Sequence, residues 1–110
     1  MGLGGVVFSS WDFETVNGNK PMLKVRATGN GIGIEIDVVR GILLKRVREI
    51  LNALDEYTVT LSTEEEEVMP MCNDTCIISF VVQFQNNKDL EKFSEFLKKK
   101  YPPGTTSGDI

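Results

Sequence analysis

Residues 29–51 read GNGIGIEIDVVRGILLKRVREIL, and the way this stretch divides decides the fold. Its first half alternates, with Ile32, Ile34 and Ile36 set against Gly33, Glu35 and Asp37. Just upstream, Leu23, Val25 and Ala27 alternate with Lys24, Arg26 and Thr28. Period-two alternation on both sides of an Asn-Gly step reads as a hairpin, because that dipeptide accepts the positive φ of tight hairpin turns. The outward residues are basic on one strand and acidic on the other, so cross-strand charge pairing supports the register.

After Arg40-Gly41 the period changes. Leu43, Leu44, Val47, Ile50, Leu51 and Leu54 recur at three- and four-residue spacing, with Lys45, Arg48, Glu49 and Asn52 on the far side. That pattern predicts a helix from Gly41 to Asp55 with one face buried. Gly41 then has two readings. Backbone N–H groups at a helix N-terminus can receive a carboxylate or phosphate, with Arg40 assisting. Alternatively, Gly41 is a corner that permits an unusual φ or a close backbone approach where the strand turns into the helix. The GNGIG glycines lie in a hairpin without the lysine and hydroxyl of a phosphate loop, so they form no phosphate cradle.

Farther along, Tyr57, Val59 and Leu61 alternate with Thr58, Thr60 and Ser62 and predict a third strand. The acidic run Glu64–Glu67 and Pro70 break it, so the segment reads as a loop or a ragged extension of a hairpin. Cys76–Phe84 is a near-continuous apolar run suited to a central strand. Leu90, Phe93, Phe96, Leu97 and Tyr101 mark a second amphipathic helix, with Asn86 or Asn87 as N-cap and Lys98–Lys100 complementing its C-terminal dipole. Pro102-Pro103 stops it. Residues 1–20 read as an arm with a short strand at Val6–Ser9, residues 21–101 as the domain, and residues 102–110 as a flexible tail. The expected order is ββαββα: an α+β two-layer sandwich, ferredoxin-like, with four antiparallel strands and two helices on one face.

A chain of 110 residues makes one domain. Its net charge of -4 argues against a nucleic-acid-binding surface, which neutralises phosphates with basic side chains. The absence of histidine removes the commonest general base and metal ligand. No nucleophile–base set and no paired-carboxylate spacing is present, so no catalytic residue is assigned and no cofactor expected. Cys72 and Cys76 lack the second ligand pair of a zinc site and read as two free thiols. Four consecutive glutamates lack the spaced, glycine-turned pattern of a calcium loop and read as a solvated charge run. Lys45, Arg46 and Arg48, with Arg40 before them, are diluted by Glu49, Asp55 and Glu56 and read as a solvated face. No apolar run approaches a membrane span and no secretory signal is visible, so a cytosolic or nuclear protein is expected.

What remains is surface. The strand around Tyr57–Thr63 reads as an exposed sheet edge, and such edges invite pairing with another copy. Tyr57, Val59 and Leu61, with Leu44 and Arg48 of the first helix, are the candidate interface.

From Ile34 to Thr63 the chain resembles an ACT-type domain. In the amino-acid-binding members an Asp, two residues (the second usually Pro), then Gly and an apolar pair open the first helix. Here Asp37 and Gly41 stand one residue farther apart, and Arg40 occupies the Pro place. The ACT-like domains at the C-termini of plant basic helix-loop-helix transcription factors are more similar. The shared features are the ββαββα order, the Arg40-Gly41 step, Ala53-Leu54 closing the helix, and Phe80–Phe84. That resemblance, covering Pro21–Tyr101, implies a non-catalytic nuclear module that homodimerises or heterodimerises with a related domain. It would tune DNA binding without touching DNA itself. The alternative is a small-molecule sensor binding an amino acid at Arg40 and Gly41.

Overall fold

The computed structural model describes residues 6–16, 18–62, 64–69, 75–102 and 107–109. It is an α+β structure: an antiparallel sheet with two helices, a layout compatible with a ferredoxin-like arrangement. The strands are β1 (Val6–Val16), β2 (Met22–Ile32), β3 (Val59–Leu61), β4 (Glu65–Met69), β5 (Thr75–Phe84) and β6 (Ser107–Asp109). The helices are α1 (Ile36–Ala53), continued by a 3₁₀ turn at Leu54–Glu56, and α2 (Asn87–Lys100). The sheet order is β3-β5-β2-β1-β6, with β4 also paired to β5. Among the described residues, six strand segments therefore replace the four expected.

The expected hairpin at Asn30-Gly31 is not formed. Met22–Ile32 is one continuous strand, paired along its whole length with β1, from Val16↔Met22 to Val6↔Ile32. The physical reason lies in the glycines. A Cβ on Gly29 would stand 2.9 Å from Leu43 Cδ1 and 3.0 Å from Val39 Cγ1. One on Gly31 would stand 2.6 Å from Ile34 Cγ2 and 2.7 Å from Val39 Cγ2. These glycines let α1 lie close on β2; they do not turn the chain. The turn falls at Gly33, the one described glycine with positive φ, 70°. Charge pairing across β2 is present, but with a different strand: Lys24 faces Glu14 and Arg26 faces Asp12.

Helix α1 consequently starts at Ile36, five residues before Gly41. Glu35 is its N-cap, with no side-chain cap bond, and Asp37 sits in the first turn, where the dipole favours a negative charge. Gly41 lies inside the helix, exposed, and a Cβ there would meet nothing within 4 Å. Neither the ligand seat nor the corner describes it.

Three further expectations shift. The N-terminal arm contains a full strand of the sheet, β1, rather than a short stretch at Val6–Ser9. Of the two readings of the acidic run, the hairpin extension holds and the loop does not: Glu65–Met69 forms β4, antiparallel to β5. The tail contributes β6, paired with Val7–Ser9 of β1; its residues 103–106 and 110 lie outside the described residues. By contrast, β5 and α2 follow their sequence patterns closely. The Asn86 side chain accepts from the Asp89 N–H at 2.9 Å, and Lys98–Lys100 close the last turn.

One face of the sheet carries the core. Val7 and Trp11 of β1, Leu23, Val25 and Ala27 of β2, and Cys76, Ile78, Phe80, Val82 and Phe84 of β5 are all buried. Val39, Leu43, Val47 and Ile50 of α1 and Leu90, Phe93 and Leu97 of α2 close over them. Cys76 is a free thiol in this core, its pKa pushed up by burial first and by Glu66 second. Cys72 lies outside the described residues.

Candidate interaction surface

The strand pair β3 and β4 forms one margin of the sheet, since both pair only with β5 among the described residues. They are not one straight strand. Leu61 faces Val82 and Glu65 faces Ser79, so the register advances four residues on the outer strand for three on β5. One extra residue on the outer strand is a β-bulge. Ser62 pins it: its N–H donates to the Val81 carbonyl at 3.0 Å, and its Oγ accepts from the Val81 N–H at 2.8 Å.

The bulge changes which residues face the helices. In β3 the odd-numbered Val59 and Leu61 lie opposite core residues Phe84 and Val82. In β4 it is the even-numbered Glu66 and Val68 that lie opposite core residues Ile78 and Cys76. Glu65 and Glu67 thereby point to the water-facing side of the sheet, where they line a shallow hollow with Lys24 and Arg26. Glu66 meets α1 instead. Arg40 Nε donates to Glu66 Oε2 at 3.0 Å and Nη2 to Oε1 at 3.2 Å, a two-point fork. That hydrogen bond is the largest influence raising the Arg40 pKa above its ordinary value.

The proposed interface residues divide by exposure. Leu61 is 45% exposed and Val68, which sequence reasoning did not single out, is 44% exposed. Val59 and Leu44 are half-buried, and Arg48 is exposed. Leu44 and Arg48 follow Arg40 at four-residue intervals, so the three share the flank of α1 nearest β4. Tyr57 is also half-buried, with its ring against the core: it meets Phe84 at 5.9 Å and Phe93 at 5.6 Å, both edge-on. Beside it Asn52, Ala53, Glu56, Phe93 and Phe96 line a cavity of about 260 Å³, with Phe96 43% exposed.

The basic residues of α1 do not form one patch. Arg40 turns to β4, whereas Arg46 turns the opposite way and donates to the buried Ser9 Oγ of β1 at 2.7 Å. Next to that contact is a second cavity, about 360 Å³, lined by Ser9, Trp11, Arg46, Glu49, Lys100 and Tyr101. Trp11 and Tyr101 stack at 4.7 Å, and the Tyr101 hydroxyl donates to Glu49 Oε2 at 3.2 Å. Burial first and the Glu49 charge second push the Tyr101 phenol up to about 12. The Trp11 Nε1 is buried without a hydrogen-bond partner. Sequence reasoning missed this group because its members come from β1, α1 and the end of α2. Only the Arg46–Glu49 spacing, one helical turn, hints at it.

Among the described residues no group of three or more His, Cys, Asp or Glu side chains is placed to hold a metal ion. No described helix is long and apolar enough to cross a membrane. Comparison with protein-family models, curated proteins and solved structures finds no match to this chain.

Proposed function

We propose that this chain is a non-catalytic pairing module, an ACT-like domain of the type found in plant basic helix-loop-helix transcription factors. In that role it associates with a second copy or a related domain in the nucleus and so tunes the dimerisation and DNA binding of the protein that carries it. The observation that supports this reading is the β3–β4 margin. Its backbone is unpaired on the outer side among the described residues, and Leu61 and Val68 stand exposed beside the Leu44–Arg48 flank of α1. Unpaired strand edges with exposed apolar side chains are templates for association. Light scattering at tens of micromolar tests it. The expected result is twice the chain mass for the native protein and the chain mass for Leu61→Asp, with unchanged circular dichroism. A native monomer, both alone and mixed with a related domain, overturns the reading.

The cavity beside Trp11 favours a second reading, regulation by a small amino acid. Arg46 and Lys100 supply positive charge, Glu49 negative charge and Trp11 an apolar wall, which suits a zwitterion. This moves the sensor site from Gly41 to the β1–α1–α2 junction. Thermal-shift screening with the amino acids tests it, since a ligand bound only by the folded state raises the melting temperature. No shift with any of them sinks it.

A further inference from the structure

The pairing edge carries a feature its apolar residues do not explain: Ser62-Thr63 followed by Glu64, Glu65, Glu66 and Glu67. Protein kinases that select acidic substrates read carboxylates on the C-terminal side of the acceptor hydroxyl with a basic cleft. From Ser62 the carboxylates stand at the second to fifth following positions. We infer that Ser62 is a phosphorylation site for an acid-directed serine/threonine kinase, and that its modification loosens the edge pairing proposed above. The second half of that inference rests on the pairing reading; the first half does not.

Burial separates Ser62 from Ser9 and Ser94. Ser9 also has a carboxylate three residues on, Asp12, but it is 2% exposed and bonded to Arg46. Ser94 precedes Glu95 and is 8% exposed. Ser62 is exposed, on the sheet margin, at the bulge where the ladder to β5 is interrupted. β3 is only three residues long, so lifting Ser62 and its acidic neighbours into a kinase cleft disrupts little of the sheet.

The step is a phosphoryl transfer from ATP. Ser62 Oγ attacks the γ-phosphorus, the bond from that phosphorus to the β–γ bridging oxygen breaks, and ADP leaves with the electron pair. The hydroxyl proton passes to the kinase's base. The product places about −1.5 to −2 charges on the three terminal phosphate oxygens, one phosphorus beyond the Oγ that accepts from the Val81 N–H, and beside four carboxylates. A second sheet edge brought against this one meets that dianion directly, and like charge at so short a range opposes association.

The test treats the native protein with an acid-directed kinase and magnesium ATP, followed by intact mass and peptide mapping. One phosphoryl group on Ser62 is expected, absent in Ser62→Ala. The double variant Glu65→Gln, Glu67→Gln, which keeps the Ser62–Val81 contacts, slows the transfer about tenfold, the factor for one lost charged hydrogen bond. No incorporation, incorporation on Thr63 alone, or transfer indifferent to the two glutamates overturns the site. Light scattering of the phosphorylated protein then reads the consequence. Loss of the dimer at tens of micromolar supports it, and an unchanged dimer overturns the regulatory half. A protein monomeric before treatment overturns the pairing reading and leaves the modification site standing.

Discussion

Alanine placed at three glycines in turn separates three structural roles that look alike in the sequence. At Gly31 the new Cβ lies 2.6 Å from Ile34 Cγ2, 2.7 Å from Val39 Cγ2 and 3.2 Å from the Ile34 carbonyl oxygen. Val39 is fully buried and β-branched, so it has no free rotamer to retreat into, and the carbonyl is backbone. Overpacking of this kind costs about 1–3 kcal/mol. At Gly29 the nearest atoms, at 2.9 and 3.0 Å, are side-chain tips of Leu43 and Val39, so the cost falls in the lower half of that range. At Gly41 the Cβ meets nothing, and an exposed helical glycine replaced by alanine gains about 0.5–1 kcal/mol. Urea unfolding reads all three. The expected order of stability is Gly41→Ala above native, native above Gly29→Ala, and Gly31→Ala last. In melting temperature, each kcal/mol is worth roughly 4 °C in a chain of this size. A Gly31→Ala protein as stable as the native one refutes the close approach of α1 to β2. A destabilised Gly41→Ala refutes the early start of α1.

Three more predictions concern the edges of the fold. A fragment of residues 21–101 lacks β1 and with it the buried Val7 and Trp11, leaving β2 without its neighbour; circular dichroism should show it unfolded, and a cooperative melt would refute the place of β1 in the sheet. Tyr101, raised to about 12 from 10.0, favours its neutral form in the folded chain. The stability it contributes is whole below pH 10 and lost as pH climbs towards 12, so the urea midpoint should fall more steeply there in the native protein than in Tyr101→Phe. Arg40→Gln removes a solvent-exposed ion pair, with side chains 44% and 29% exposed, and should lower the melting temperature by no more than about 4 °C; a larger drop would show the fork to be structural.

The helices and β5 were legible because each shows one period over many residues. Phe93 and Leu97 recur as α2 requires, and β5 alternates buried and half-buried residues without a break. The GNG segment misled because one residue type answers two demands. Glycine permits a hairpin turn, and glycine also permits a helix to approach a strand, and no local pattern tells these apart. Of strand β1 only Val6–Ser9 was legible, because the core position at its end holds Ser9, satisfied by Arg46 from 37 residues away. Its alternation therefore looks broken until the tertiary partner is known. The candidate edge was half legible. Leu61 was found, but Val68 was not singled out, because a bulge shifts the phase of everything after it without marking the sequence.

The short ladder between β6 and β1 has a mechanical consequence. Val7 pairs with Asp109 and Ser9 with Ser107, so the entering and leaving ends of the chain lie side by side at the same end of that ladder. Tension applied through those two ends opens the pairs one after another, as a zip, rather than shearing them together. β6 is therefore the first element to yield under load, and it can peel away while the eleven-residue pairing of β1 with β2 still holds.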